Sequence, residues 1–242
     1  MKKIFLNSLF IMISTICFAL DFSVYPTNFN LDITKVNTEE LYIINNTTTS
    51  LKIEVFPEMS EDYGEKHSLN SDIKIFPKMV VIKPAGKQAI RFRVLPSKKE
   101  GEFKSYITFK ELPKIAHQEN NTNNSVQSNI GILAEISIPV YGRGKNINAV
   151  GEITKVKCYK RNNDLKVTVE VVSHGNARLK LKYILENMDN KKIAEGKLGN
   201  SAREGNKIIT TIIPLEKSNI NKSKLTILDS KDKVYYKKVI NF

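Results

Sequence analysis

The chain has 242 residues, of which 41% are hydrophobic and 26% are charged, and its formal net charge is +13 at pH 7. This length is more than one small β-sandwich needs and suits two domains of about 100 residues each. A strongly basic chain can bind nucleic acid, but no nucleic-acid-binding motif is present, and many lysines alternate with apolar residues as on a solvated strand face. We therefore expect no nucleic-acid partner.

The N-terminus has the composition of a secretion signal. Two lysines are followed by the mostly apolar residues 4–16, and small side chains stand at Cys17 and Ala19, where a signal peptidase reads the chain. The apolar stretch is shorter than the roughly 20 residues that a membrane-spanning helix needs. We predict that residues 1–19 are a cleaved signal peptide. The exported chain then keeps one cysteine, Cys158, which excludes an internal disulfide.

From residue 21 onward, apolar and polar residues alternate with a period of two, and turn-forming residues separate the alternating runs. This pattern predicts β-strands, and no stretch shows apolar residues at helical spacing. In the first half we predict strands at residues 21–25, 29–33, 39–44, 51–56, 73–76, 79–82, 88–95, 102–111 and 130–141. Regular spacing of short strands is typical of a β-sandwich.

The second half repeats the pattern after a short junction that contains glycine. Here we predict strands at residues 151–159, 166–172, 178–185, 192–197, 207–213, 224–228 and 234–240. Residues 146–242 hold 20 Lys and Arg against 10 Asp and Glu, so most of the positive charge lies in this half. The alternating cations of residues 178–183 are expected on a solvated strand face. We predict an all-β chain of two sandwich domains, residues 20–143 and residues 144–242.

A polar, Asn-rich run lies within residues 115–128, and we expect a mobile loop there because the run has no apolar face to bury. The strand that follows carries aliphatic side chains on one face, at Ile130, Ile132, Ala134, Ile136, Ile138 and Val140. Two interpretations are open. Spacing alone favours a row that faces the domain's own core. Alternatively, the first part of the row is offered to another protein as an added strand.

The sequence shows no constellation of catalytic or metal-binding residues. His67, His117 and His174 are scattered through polar segments, and no cluster of His or Cys has the spacing of metal ligands. Glycine-rich loops that cradle phosphate are also absent. We therefore expect no catalytic residue, no metal and no cofactor, and we predict that the chain is not an enzyme.

Three stretches of the first half form an ordered pattern. A strand ends in Asn45-Asn46, and residues 77–91 combine a Pro-containing strand, a Pro-Ala-Gly turn and a strand with Gln-Ala-Ile-Arg. Residues 105–113 then precede the polar loop and the strand that ends in residues 138–141. In this order the stretches resemble the PapD-like periplasmic chaperones of the chaperone–usher pilus pathway. The resemblance covers nearly the whole first domain, whereas the second half is similar in length and β character only.

The resemblance implies two immunoglobulin-like sandwiches in tandem and a periplasmic location. It also implies a function, because these chaperones lend a strand to pilus subunits that lack the last strand of their own sandwich, before assembly at an outer-membrane usher. We accordingly expect strand donation by Ile130, Ile132, Ala134 and Ile136, and expect the rest of the row inside the core. An exposed strand edge also predicts self-association when no subunit is bound. A structural or adhesive protein of a surface fibre is the alternative.

The chain departs from the family pattern at the site that binds the terminal carboxylate of the subunit. Members close to the prototype use an arginine of the first strand and a lysine late in the donor strand, both in the cleft between the domains. Asn28 stands at the arginine position, and Ile138 or Pro139 stands at the lysine position. Asn28 can still donate a hydrogen bond. Our candidate anchors are therefore Asn28 and two cations that follow the lysine position closely in sequence, Arg143 and Lys145.

Overall fold

The computed structural model describes residues 20–113, 133–215 and 222–241, and the regular structure of these residues is almost entirely β. The first half contains β1 (Phe22–Tyr25), β2 (Phe29–Asp32), β3 (Asn37–Asn45), β4 (Leu51–Met59), a 3-10 turn (Glu65–His67), β5 (Ile73–Phe76), β6 (Met79–Ile82), β7 (Lys87–Val94), β8 (Glu102–Glu111) and β9 (Glu135–Arg143). The second half contains β10 (Gly151–Arg161), β11 (Asp164–Ser173), β12 (Lys180–Glu186), β13 (Lys192–Asn200), β14 (Gly205–Pro214), β15 (Lys222–Asp229) and β16 (Val234–Asn241). No helix among the described residues is long and apolar enough to cross a membrane.

The first nine strands form a sandwich of two sheets. One sheet has the order β1-β3-β7-β5, and the other has the order β2-β9-β8-β4-β6. Neighbouring strands are antiparallel except β2 and β9, which run parallel. The apolar residues of each alternating strand point between the sheets, where Phe22, Ile53, Phe92 and Phe109 are almost completely buried. Burying these faces is the main force that holds the two sheets together.

The last seven strands form a second sandwich, with sheets ordered β10-β11-β14 and β13-β12-β15-β16. Strand β11 illustrates how alternating residues form this sandwich. Its apolar residues Leu165, Val167, Val169 and Val171 are buried in the core, while the residues between them point outward. The predicted all-β fold of two sandwich domains in tandem is therefore confirmed. The domain boundary at residues 143 and 144 stays a prediction.

A buried polar cluster around Glu102 joins the two sandwiches. The Glu102 carboxylate on β8 accepts a hydrogen bond from the Tyr63 hydroxyl and lies 3.3 Å from Nε of Arg178, which belongs to the second sandwich. The backbone carbonyl of Glu102 accepts a hydrogen bond from Nε of Arg203 at 2.9 Å. Our expectation that Arg178 lies on a solvated face was wrong, because its guanidinium is buried against this carboxylate.

Backbone contacts bring the two sandwiches close together at Gly101. The amide of Glu102 donates to the carbonyl oxygen of Asn176 at 2.8 Å, across the junction. Gly101 has a φ of +89°, and a Cβ atom there would lie 2.7 Å from the same Asn176 oxygen. Only glycine combines this backbone conformation with so close an approach. The junction therefore fixes the position of β8, and with it the neighbouring strand β9.

Candidate functional site

One edge of β9 is only partly covered. On one side, β9 pairs with β8 along its whole length, from Glu135 to Arg143. On the other side, it pairs with β2 from Val140 to Arg143 only. Within the described residues, positions 135–139 therefore have an unpaired edge, which we call the free edge of β9. Backbone N–H and C=O groups along such an edge need water or another strand as a partner.

The aliphatic row of β9 becomes less buried toward the free edge. Val140 is fully buried and Ile138 is 4% exposed, and both belong to the core of the first sandwich, as expected from the resemblance. Ile136 and Ala134 are half-buried and pack against the margin of the same core. The row therefore begins inside the core and ends at its rim. The interpretation as a core row therefore holds for Ile138 and Val140, whereas donation by Ala134 and Ile136 stays a prediction.

The opposite face of this strand is polar and exposed. The side chains of Glu135 and Ser137 are exposed, Leu133 is 46% exposed, and Ser137 Oγ lies 2.9 Å from Thr108 Oγ1. Pro139 stands just before the first residue that pairs with β2. Proline has no N–H to donate and is confined within sheets mainly to edges, so its position agrees with a strand that is uncovered on one side.

A cleft of about 790 Å³ opens where β9 reaches the second sandwich. The first sandwich contributes Asn28, Asn30, Pro139 and Tyr141 to its wall. The second sandwich contributes four cations, which are Arg178, Lys180, Lys182 and Lys197. Since β9 runs from the free edge toward this cleft, a strand added parallel to β9 would end with its terminal carboxylate near these cations.

Two of the four cations are neutralised or held by neighbours. The guanidinium of Arg178 is paired with Glu102, its carbon lies 3.2 Å from the ring centre of Tyr141, and its Nη2 donates to Asn30 Oδ1 at 3.4 Å. Lys182 Nζ lies 2.6 Å from a carboxylate oxygen of Asp232. These contacts make Arg178 part of the junction rather than a free anion ligand.

The other two cations, Lys180 and Lys197, are exposed and make no ion pair with any residue that the structure describes. Although the residue as a whole is exposed, partial burial of the ammonium group, and next the positive charge of Arg178, lower the pKa of Lys180. An anion in the cleft would oppose both effects, because a nearby negative charge raises the pKa of a lysine. Glu195 also lines the cleft, but its carboxylate is paired with Lys192. Among the described residues, Lys180 and Lys197 therefore give the cleft positive charge without an ion-pair partner, beside Pro139 at the end of the free edge of β9.

The three candidate anchors do not come together. Asn28 lines the cleft, where its Oδ1 accepts a hydrogen bond from Asn30 Nδ2 at 3.1 Å. Arg143 lies at the far end of β9, in a smaller depression near Asn148, and Lys145 follows it on the surface, so neither side chain lines the cleft. A role for Asn28, Arg143 and Lys145 as anchors stays a prediction, and Asn28 is the one with suitable geometry.

Part of the predicted donor strand lies outside the described residues. This applies to Ile130 and Ile132 and to the predicted loop at residues 115–128, whereas Ala134 and Ile136 are described. Sequence reasoning also missed Lys180 and Lys197 as cleft residues. Each alternates with apolar neighbours as any solvated strand does, so the sequence holds no signal that distinguishes them.

Other reactive groups in the described residues are inert or isolated. Across residues 20–113, 133–215 and 222–241 there is no group of three or more His, Cys, Asp or Glu that could hold a metal ion. Cys158 is half-buried, and burial raises the pKa of its thiol to about 11. Because the thiolate is the nucleophilic form, Cys158 is not activated at neutral pH.

The chain is similar to several proteins whose structures have been solved. No protein-family model matches the chain, and no curated protein matches it. The chain is similar to the E. coli chaperone DraB, with 14% identity over 91% of this chain and 96% of that chain and a TM-score of 0.49. It is also similar to the Pseudomonas aeruginosa CupB2 chaperone, with 10% identity, coverage of 91% and 100%, and a TM-score of 0.46. A third similarity is to the CsuC–CsuE chaperone–tip adhesion subunit pre-assembly complex of Acinetobacter baumannii Csu pili, with 16% identity, coverage of 91% and 97%, and a TM-score of 0.45.

Proposed function

We propose that this protein is a periplasmic chaperone that binds pilus subunits by pairing a strand of the subunit with the free edge of β9. One observation carries the proposal. Strand β9 is covered by β2 at residues 140–143 and has no partner on that side at residues 135–139 among the residues that the structure describes, although β8 supports it throughout. A rigidly held strand with one open edge is what strand addition requires, because the incoming strand satisfies the backbone groups of both chains.

The side chains of the free edge add an apolar contact to this pairing. Complete burial of a large aliphatic side chain contributes about 1.5–3 kcal/mol. Ile136 is half-buried in the free protein, so it can supply part of that amount when a subunit covers it. Ala134 supplies less because it is smaller. Ile130 and Ile132 extend the same row in the sequence and would add two large contacts, which together suit the open groove of an incomplete sandwich.

The cations of the cleft favour a subunit strand that runs parallel to β9. A subunit strand in this orientation would place its terminal carboxylate beside Lys180 and Lys197, the two cations of the cleft that make no ion pair with any described residue. Asn28 can donate a hydrogen bond to the same carboxylate. In this proposal the positive charge comes from the second sandwich, in place of the arginine and lysine that the resembling family uses in the first.

The proposal includes export through the predicted signal peptide at residues 1–19 and transfer of the bound subunit to an outer-membrane usher. It needs no cofactor and no catalytic group, because binding energy alone keeps the subunit from aggregating. The same exposed edge is expected to make the subunit-free protein associate with itself.

A matched pair of substitutions tests the proposal. Ala134→Asp puts a carboxylate on the face that packs at the rim of the core, whereas Leu133→Asp puts the same group on the exposed face of the neighbouring position. Each tagged variant is purified from periplasmic extracts, its fold is checked by circular dichroism, and the proteins that co-purify are identified by mass spectrometry.

We expect small exported β-rich subunits to co-purify with the wild type and with Leu133→Asp, and to be lost with Ala134→Asp. The reason is that a carboxylate in an apolar groove costs several kcal/mol unless it is paired. Equal capture by the two folded variants would refute strand donation from this face.

A further inference from the structure

His67 lies where the two sandwiches meet, with a ring nitrogen that has no hydrogen-bond partner. It ends the 3-10 turn of the first sandwich, Glu65–His67, and lines a depression of about 310 Å³ together with Arg203 and Glu204 of the second sandwich. The imidazole meets the ring of Phe103 on β8 edge to face, with the ring centres 5.8 Å apart. Its Nδ1 is buried and finds no hydrogen-bond partner among the residues that the structure describes. A titratable group therefore lies unsatisfied at the junction.

Cations lie near His67 on both sandwiches. Arg203 is 7% exposed, and its Nε donates to a backbone carbonyl oxygen of β8 at 2.9 Å, so its guanidinium is held at the junction. Lys66 is the neighbour of His67 in the 3-10 turn, and Lys99 Nζ lies 5.5 Å from the centre of the Phe103 ring that the imidazole contacts. Burial of the imidazole, and next the positive charges of Arg203 and Lys66, lower the pKa of His67.

The acidic groups near His67 are exposed or already bound. The carboxylates and the phenol around the depression and the 3-10 turn are Asp62, Tyr63, Glu65 and Glu204. Both carboxylate oxygens of Asp62 accept hydrogen bonds from Lys104 Nζ, at 2.9 and 3.0 Å, and the Tyr63 hydroxyl donates to Glu102. Glu65 and Glu204 are exposed, and the charge of Glu204 raises the pKa of His67 by less than Arg203 and Lys66 lower it. Among the described residues, His67 makes no ion pair.

We propose that His67 makes the junction of the two sandwiches sensitive to pH, because protonation of its imidazole loosens the contact between them. A protonated imidazole carries N–H groups at both nitrogens, so Nδ1 would become a buried donor without an acceptor. The added charge would also repel the guanidinium of Arg203. The closed junction holds the pKa of His67 below its ordinary value of 6.5, and an opened junction restores that value. The closed junction is therefore fully favoured above pH 6.5 and loses stability as the pH falls from 6.5 through the lowered pKa. This inference does not depend on the proposed strand donation.

Hydrogen exchange at one backbone amide reports the state of the junction. The amide of Glu102 donates to the carbonyl oxygen of Asn176 at 2.8 Å, from one sandwich to the other. Its protection factor, which is corrected for the intrinsic effect of pH on exchange, is measured by NMR on the purified chain. We expect this protection to fall by about threefold or more between about pH 7.5 and about pH 5. The amide of Asn45, which donates to Gly86 within the first sandwich, should change by less than about twofold.

Two substitutions remove the titrating group in different ways. His67→Gln keeps a polar side chain and His67→Phe keeps a ring against Phe103, and neither takes up a proton in this pH range. In each variant with the wild-type circular dichroism spectrum, the protection of Glu102 should change by less than about twofold over the same pH range. The matched control is His174→Gln, because His174 is exposed and lies 3.7 Å from Glu152, and it should keep the decrease of the wild type. No decrease in the wild type, an equal decrease at Asn45, or a decrease that persists in the folded His67 variants would each overturn the proposal.

Discussion

Neutralising Glu102 should loosen the junction of the two sandwiches. The side chains of Glu102 and Arg178 are 4% and 6% exposed, and the nearest oxygen and nitrogen are 3.3 Å apart. Glu102→Gln preserves the size of the side chain and an oxygen that can accept a hydrogen bond from Tyr63. It removes the negative charge, however, and leaves the guanidinium of Arg178 buried without a counter-ion.

Removing one partner of a buried ion pair costs about 3–5 kcal/mol, because the remaining charge is uncompensated. The ring of Tyr141 still lies under the guanidinium, and such a cation–π contact contributes about 0.5–2 kcal/mol. We therefore expect the free energy of unfolding to fall by about 3 kcal/mol, the lower end of the range. Adding Arg178→Met removes both charges and should restore at least about half of the loss.

Urea unfolding measures this effect, with circular dichroism and tyrosine fluorescence as probes because the chain has no Trp. With a dependence of about 2 kcal/mol per M urea, Glu102→Gln should lower the midpoint by about 1.5 M. Glu61→Gln, at an exposed position of the first sandwich, should leave the midpoint unchanged. A decrease of less than about 0.3 M for Glu102→Gln, or a double variant less stable than the single one, would refute the reasoning.

Three other substitutions or titrations have defined outcomes. Ile138→Ala should lower the free energy of unfolding by about 2–5 kcal/mol, whereas Ile136→Ala should cost clearly less because its side chain is half-buried; equal losses in urea would contradict the burial gradient. Asn45 is almost fully buried, and its Nδ2 lies at hydrogen-bond distance from three backbone carbonyl oxygens, those of Thr49, Ile82 and Lys83, at 2.7, 3.1 and 3.0 Å. Asn45→Ala should therefore cost about 1–3 kcal/mol, and an unchanged Tm would contradict this. Because burial lowers the pKa of Lys180, its positive charge is lost as pH rises through a value below 10.5, and binding of a peptide carboxylate in the cleft should weaken there; weakening only above 10.5 would contradict the assignment.

The strands could be predicted from the sequence because each has one buried face. In β5 and β6 the alternation of buried and exposed residues gives the observed bounds, Ile73–Phe76 and Met79–Ile82. In β11 a row of four aliphatic residues faces the core. Alternation of this kind depends only on local sequence, since successive side chains of a strand point to opposite faces.

The free edge of β9 and the cleft could not be predicted from the alternation of apolar and polar residues. Nothing in the sequence shows that β2 pairs with only the last four residues of β9, since this follows from how the two strands meet in the sandwich. The sequence indicates a solvated face for Arg178 and Lys180 because both alternate with leucines. Arg178 is buried because it contacts its counter-ion, Glu102, across the junction between the two sandwiches. Lys180 follows two residues later and lines the cleft at the same junction.

Backbone hydrogen exchange tests the central claim most directly, by comparing the free protein with its complex with a co-purified subunit. A strand added to the free edge of β9 should slow amide exchange within residues 135–138, where one edge has no partner among the described residues; Pro139 has no amide proton to exchange. Residues 140–143 should exchange equally in both states, because β2 already covers them. Unchanged exchange at residues 135–138 in the complex, with new protection elsewhere on the chain, would contradict the claim that this edge receives the subunit.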